Sequence, residues 1–407
     1  MVTWPQSSYY RSEESATITR MKTQERRGGK GDRLPLCAVL LAGGRGTRFW
    51  PRSRIRTPKQ LLNIVGRDTM LRETMARLAP LIKPRDIWAV TNAEQAAGVR
   101  RELRGVPASQ ILTEPVGRNT AAAIGLAAIH LVHEHDDALM AVLPADSYIV
   151  DGRRYRALVR AALDLASIPA NLVVLGVPPS RPETGYGYIE RGGREGRPRG
   201  AVAYAVRRFT EKPQLPLARK YVASGKYFWN AGMFFWRVST FLENLRRFLP
   251  GTHDALIRLG KTIGTRRYAS ALRRIYPLLE NISVDYAVME PAAGVTERER
   301  VPGSTTGGSR VLVIPAKVGW SDIGSWAAVH ELLAAKPGAN VTAGLSFTFD
   351  ASGNYFWSPK KFVAAIGIRN LVLVETEDAL LLCPRDRSQD VGKIVKWLDA
   401  KRLSRLL

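Results

Sequence analysis

Cysteine is scarce: Cys37 and Cys383 are the two in 407 residues. Both lie in apolar, strand-like surroundings, which argues against a disulfide framework and for inert buried thiols in a reducing cytosol. Long hydrophobic runs are missing too. Stretches such as Ala121 to Leu131 meet His or charge well before the ~18 uninterrupted apolar residues that mark a membrane span, so no membrane contact and a cytoplasmic location are expected. Acidic residues are outnumbered, with 36 Asp plus Glu against 61 Lys plus Arg and a formal net charge of +25. Such a surface attracts phosphates of any kind, nucleic acid included. Yet the basic residues are scattered from Arg11 to Arg405, with no zinc pattern, recognition-helix motif or aromatic RNP pattern among them. The charge therefore reads as a solvated basic surface around a site for anionic substrates, without specific nucleic-acid binding. The first 33 residues are polar and lack the apolar core of a signal peptide. They are expected to be a disordered tail or the product of a misplaced start codon, with Met21 as a later start.

From Leu36 to about Ser180, apolar strand-like runs alternate with helix-like ones. Cys37 to Leu41 is followed by Thr69 to Ala79, Asp86 to Val90 by Ala93 to Leu103, and Gln110 to Leu112 by Ala121 to His133; Leu139 to Pro144 and Leu172 to Val177 add further strands. This rhythm predicts an α/β fold, a Rossmann-like mostly parallel sheet covered by helices, with ligands beyond the carboxyl ends of its strands. After about residue 335 the pattern changes to short β-like runs, Val341 to Phe349, Phe362 to Ile368, Leu371 to Glu375 and Ala379 to Cys383, closed by an amphipathic Val391 to Leu398. The expected division is a tail over 1–34, a catalytic domain over 35–335 and a small β-rich C-terminal domain over 336–407. The last is expected either to pack on the first or to form homodimer contacts.

The organising stretch runs from Cys37 to Leu62, CAVLLAGGRGTRFWPRSRIRTPKQLL. An apolar strand ends abruptly at Gly43, Gly44 and Gly46, whose backbone can bend sharply and approach a ligand, with Arg45, Arg48 and Lys59 alongside. Glycines plus cations after a strand describe a polyphosphate cradle. It is not a P-loop, because no Lys-Ser/Thr follows the glycines, and a dinucleotide fingerprint would need glycine where Phe49 stands.

The full pattern GGRGTRFWP followed by PKQ resembles the nucleotidyltransferases that join a sugar 1-phosphate to a nucleoside triphosphate, and among them the mannose-1-phosphate guanylyltransferases. The resemblance recurs in at least six ordered segments over residues 36 to 335. It implies GTP and α-mannose 1-phosphate as substrates, GDP-mannose and pyrophosphate as products, and Mg²⁺ as cofactor. By resemblance, Arg48, Lys59 and Lys212 are catalytic, and Ala42, Gly43, Gly44, Gly46 and Thr47 bind the nucleotide.

Glu114-Pro-Val-Gly-Arg-Asn-Thr120 resembles the family segment EPxxRNTA. Asn119 or Thr120 could cap the following helix or face the nucleotide, and Arg118 is implied to contact it. Pro144-Ala-Asp146 ends an apolar strand; the resemblance makes Asp146 a magnesium ligand, though a turn or cap would also explain it, and Ser147 replaces the usual family His. Thr184-Gly-Tyr-Gly-Tyr-Ile189 brings Gly187, and Phe209-Thr-Glu-Lys-Pro213 brings Glu211 and Lys212. Asn230 stands in an aromatic run where it must find partners. Asp285, in Ser283-Val-Asp-Tyr-Ala-Val-Met-Glu290, reads equally as a helix cap or a sugar contact. Gly187, Glu211, Asn230 and Asp285 are the sugar-binding set that the resemblance implies. Asp322 in GWSDIGSW is implied as the second metal ligand, and two carboxylates plus phosphate oxygens and waters suit octahedral Mg²⁺.

Some relatives carry a phosphomannose isomerase module after this point; with about 70 residues left and no metal-spaced His cluster, that activity is expected to be absent. The alternatives are a related transferase of another base or sugar, and a catalytically silent homologue that keeps the fold.

Overall fold

β1 (Leu36–Leu41) is buried on both sides: Cys37 and Val39 enter one hydrophobic core, Ala38 and Leu40 the other. A strand covered on both faces reads as a continuous apolar run rather than an alternating one, which is why it stands out in the sequence. The computed structural model describes residues 34–294 and 309–407. The expectation for the N-terminal tail lies outside them.

Helices α1 (Met70–Leu78), α2 (Ala96–Glu102) and α3 (Asn119–His135) alternate with β1, β2 (Ile87–Asn92), β3 (Ile111–Glu114) and β4 (Leu139–Pro144). The short β5 (Tyr148–Ile149) and α4 (Gly152–Ala166) lead to β6 (Asn171–Val177). The hairpin β7 (Tyr188–Gly196) and β8 (Ala203–Thr210), α5 (Leu215–Ser224) and β9 (Tyr227–Arg237) follow. Next come α6 (Val238–Phe248), α7 (Pro250–Gly260), α8 (Tyr268–Ile275) and α9 (Glu290–Gly294), and then β10 (Arg310–Pro315). Among the described residues one sheet has the order β3-β2-β1-β4-β9-β6-β10-β8-β7. β2, β3 and β4 extend β1 in parallel and β10 pairs with β6 in parallel, whereas β9 is antiparallel to both β4 and β6. The sheet is thus mostly parallel with helices on both faces, as expected, but its centre is the aromatic run Tyr227–Arg237, which the βαβ rhythm does not reveal.

Beyond β11 (Trp320–Ser321) and α10 (Trp326–Leu333), the expected β-rich part is a coil of short strands. β12 (Val341–Ala343), β14 (Tyr355–Trp357) and β16 (Leu371–Glu375) stack in parallel on one side, and β13 (Ser346–Phe349) and β15 (Val363–Ile366) on another. β17 (Leu380–Pro384) closes the first sheet antiparallel to β16, and α11 (Val391–Ala400) follows. The run from Val341 to Phe349, expected as one strand, breaks at Gly344, where φ is 112° and an added Cβ would strike the Ser358 carbonyl. A third core joins this coil to the functional loops: Phe49, Trp50, Ile323 and Trp326 are buried with Tyr355, Val372, Val374, Leu381, Val391 and Leu398.

Candidate active site

A cleft of about 500 Å³ opens beyond the carboxyl ends of β1 and β4. It is lined by residues from nearly every motif that the sequence singles out: Gly43, Gly44, Asn119, Thr120, Asp146, Gly187, Glu211, Lys212, Asn230, Asp285 and Asp322. The six residues that do not line it are Ala42, Gly46, Thr47, Arg48, Lys59 and Arg118, and each has a definite place. Ala42 is buried at the end of β1, and its carbonyl accepts from Gln60 Nε2 (2.8 Å) and the Thr91 hydroxyl (3.0 Å). Gly46 packs against the stem of Lys59. Thr47 and Arg48 belong to a short helical turn, Thr47–Phe49, that faces the C-terminal part; Arg48 donates to Gln389 Oε1 at 2.6 Å. Arg118 turns from the cleft and donates to the Pro277 carbonyl.

Lys59 lies against Gly46 of the glycine loop. It is 5% exposed, and its Nζ donates to Asp146 Oδ2 at 2.9 Å and to the Asp322 carbonyl. The ammonium thus joins the loop after β4 to the loop after β11. The Asp322 carboxylate accepts the Tyr186 phenol at 2.5 Å, and Tyr186 stands edge-on to both Trp229 and Trp320. Burial and the adjoining Asp322 push the Tyr186 hydroxyl far above its ordinary value, so it remains a donor across the physiological range.

The sequence gives no warning of how the glycine loop is held. Gln60 Nε2 also stands 3.0 Å from the Gly44 carbonyl and 3.1 Å from Gln95 Oε1, its two hydrogens shared among three acceptors, and Gln95 Nε2 adds a bond to the Gly44 carbonyl at 3.3 Å, so two buried amides hold the loop. A Gln directly after Pro-Lys is the available signal, and it is readable only once the loop carbonyls are seen to need a donor. Glu114 is likewise buried; it accepts the Tyr276 phenol at 2.6 Å, and desolvation raises its carboxyl above the ordinary value despite that bond.

Neither Asn119 nor Thr120 caps α3 in the expected way. Arg118 occupies the cap position without a side-chain cap bond, Asn119 Oδ1 accepts from the amide of Thr120 (2.8 Å), and the Thr120 hydroxyl accepts from the amide of Val284 (2.8 Å). Asn119 lies at φ 62°, Lys212 at 48° and Ile323, next to Asp322, at 42°. Left-handed backbone at non-glycine residues costs on the order of 1–3 kcal/mol each and clusters at ligand sites.

At the other end, the Glu211 side chain is 9% exposed, its Oε1 meets Lys212 Nζ at 2.9 Å, and its Oε2 is buried without a donor among the described residues. Its backbone amide donates to Glu290 Oε1 at 2.8 Å. The carboxylate of the Glu211–Lys212 pair is buried, whereas the Lys212 side chain is exposed. Asn230 Nδ2 donates to Asp285 Oδ1 (2.8 Å) while its Oδ1 accepts from the amide of Gly232 (2.9 Å). Asp285 opens a π-helical turn, Asp285–Met289, without acting as its cap. Burial, with the Glu211 charge second, raises its carboxyl to about 7. The buried Oε2 of Glu211 calls for a donor.

Among the described residues no three His, Cys, Asp or Glu side chains cluster as a ready metal cage. Asp146 and Asp322 both line the cleft, and Lys59 ties the Asp146 carboxylate to the Asp322 main-chain carbonyl; carboxylate oxygens are the donor type that a hard cation takes, with water and phosphate completing its shell.

Residues 37–339 match the family model described as nucleotidyl transferase, and residues 346–398 match that of the MannoseP isomerase/GMP-like beta-helix domain. A mannose-1-phosphate guanylyltransferase of Escherichia coli is 38% identical over 366 residues, which cover 89% of this chain and 74% of that protein. The alginate biosynthesis protein AlgA of Pseudomonas aeruginosa is 37% identical over 372 residues, covering 89% and 72%. A solved structure described as mannose-1-phosphate geranyltransferase, from Thermus thermophilus, superposes with a TM-score of 0.78 at 34% identity and covers 90% of this chain and 100% of its own. The chain belongs to the nucleotidyl transferase family, on the branch of the mannose-1-phosphate guanylyltransferases.

Proposed function

We propose that the protein transfers a guanylyl group from GTP to α-D-mannose 1-phosphate, giving GDP-mannose and pyrophosphate. The observation that carries this is the convergence around one cleft of a glycine loop, two aspartates tied by the buried Lys59 through the Asp146 carboxylate and the Asp322 carbonyl, and a buried Glu211 oxygen without a donor among the described residues. The sugar phosphate has a second pKa near ~6, so it is already a dianionic nucleophile at neutral pH and needs no protein base. What the protein supplies is positioning and positive charge. The Gly43 and Gly44 backbone cradles the triphosphate, with Asn119 and Thr120 beside the base. Arg48 stabilises the departing pyrophosphate, Lys59 neutralises the reacting phosphates, and Lys212 holds the sugar phosphate. Although burial pulls it down, contact with Glu211 and the charges of Glu211 and Asp285 carry the Lys212 ammonium above its ordinary value, so it stays charged. Glu211, Asn230 and Asp285 take sugar hydroxyls, and Gly187 leaves the room for them.

Asp146 and Asp322 would hold the cofactor, proposed as Mg²⁺, which when bound supplies charge neutralisation and alignment of the two phosphates. We assign residues 35–335 to catalysis and 336–407 to support. The proposed homodimer is supported by exposed Leu345, Phe347, Phe349, Phe362 and Ile366 on the open side of the β-coil. Among the described residues no helix is long and apolar enough to cross a membrane. A cytoplasmic location is proposed with the activity.

The test is pyrophosphate release by the purified protein with Mg²⁺, with each of GTP, ATP, UTP and dTTP paired with mannose or glucose 1-phosphate. The proposal expects GTP with mannose 1-phosphate to be fastest. Faster turnover of another pair would overturn the specificity and keep the chemistry.

A further inference from the structure

Arg48 lies at the junction of the glycine loop and the C-terminal part, and its acceptor there is neutral. Gln389, in the helical turn Arg385–Asp390 before α11, takes the guanidinium at 2.6 Å. The segment is fixed from two sides. Ser388 Oγ accepts from the amide of Ala327 at 3.3 Å, tying it to α10 directly after the Asp322 loop. Gly392, in the first turn of α11, is so close to the glycine loop that a Cβ there would stand 3.4 Å from Thr47 Oγ1 and 3.9 Å from Arg48 Cγ. The same Nη1 that donates to Gln389 comes within 3.6 Å of where a Cβ on Gly324 would be, and that point is 3.0 Å from Asp322 Oδ2. The nearest carboxylate in the sequence, Asp390, is taken by Arg387 (2.6 Å) and Lys393 (2.7 Å) and leaves Arg48 to the amide.

We propose that Gln389 is the positioning residue for Arg48. Its amide oxygen keeps the guanidinium extended beside the Asp322 loop, and because it carries no charge it yields to the ionised triphosphate when the nucleotide arrives. An ionised phosphate adds to the guanidinium bond a charge–charge attraction that an amide oxygen does not offer. The guanidinium therefore moves downhill from amide to phosphate, whereas a carboxylate at the same position would compete with the substrate. The C-terminal part thereby reaches into the nucleotide site through one side chain. This inference rests on the proposed role of Arg48.

The experiment compares steady-state kinetics and Tm of the full-length wild type, Gln389→Glu, Gln389→Met, Arg48→Ala and the double variant Arg48→Ala/Gln389→Glu. In Gln389→Glu, kcat/KM for GTP should fall about fivefold, the upper worth of an exposed ion pair that must break first. KM for mannose 1-phosphate and Tm should stay unchanged. Gln389→Met, similar in length but without the acceptor, should lose less. In the Arg48→Ala background the Glu substitution should do nothing further. A Gln389→Glu enzyme within twofold of wild type beside an impaired Arg48→Ala would overturn the inference alone, as would an equal loss in both backgrounds. A full-speed Arg48→Ala would remove the assignment of Arg48 and this inference with it.

Discussion

Gly187 has no room for a methyl group: an added Cβ would run into Glu211 Oε2 and sit 3.3 Å from Asn230 Cβ. Since Glu211 is held by Lys212, the clash falls on the proposed sugar end alone. Gly187→Ala should raise KM for mannose 1-phosphate on the order of tenfold, about 1.4 kcal/mol, with KM for GTP nearly unchanged. Equal effects on both substrates would move the sugar elsewhere. Asp285 makes a prediction in pH. Its folded carboxyl titrates near 7, above the ordinary 3.8, so it binds its proton more tightly folded than unfolded. Its contribution to stability is complete below the ordinary carboxyl value and is lost as pH rises through about 7. Urea unfolding from about pH 5 to 8 should show wild type losing stability relative to Asp285→Asn, and parallel curves would contradict the shift. Cys37 is buried, and burial pushes its thiol up to about 12, which disfavours the thiolate.

Among the elements, the glycine loop is the most legible part of the chain and its support the least. The strand, the glycines and Pro-Lys-Gln mark a cradle in one dimension. That Gln60 is the strut for the Ala42 and Gly44 carbonyls depends on a fold-back of 16 to 18 residues that no periodicity encodes. Gln60→Ala should lower stability by about 1–3 kcal/mol, toward the low end because Thr91 and Gln95 keep one bond to each carbonyl, and should reduce kcat/KM for GTP. Unchanged denaturation and kinetics would show the strut to be redundant. β9 escapes notice because a central strand flanked on both edges and buried on both faces shows only an aromatic run. Arg118 differs for another reason: the motif gives the residue but not its rotamer, and here the Pro277 carbonyl takes it. In the C-terminal coil the strand segments are readable, but their parallel stacking is not, since rungs are set by corners such as Gly344 rather than by hydrophobic period.

For the whole molecule, the third core makes the C-terminal part a support for two of the loops around the site. Phe49 and Trp50 follow the glycine loop, Ile323 and Trp326 flank the Asp322 loop, and all four are buried against residues 355–398. Truncation after residue 339 should therefore expose this surface, lower Tm and reduce nucleotide turnover more than sugar-phosphate binding; a truncated chain with full activity would make the β-coil an independent appendage. The +25 charge belongs to this scale as well, because it draws polyanions without selecting among them. Selection rests on the cleft. The most direct measurement is GDP-mannose formed from GTP and mannose 1-phosphate by wild type and Asp322→Ala side by side, with Mg²⁺ and with excess chelator. Product is expected from wild type with metal and none with chelator. The folded variant should lose roughly 10²-fold or more, the scale seen when one preorganised stabilising group is removed. Undiminished product from Asp322→Ala, or from wild type in chelator, would overturn the metal-assisted guanylyl transfer proposed for this cleft.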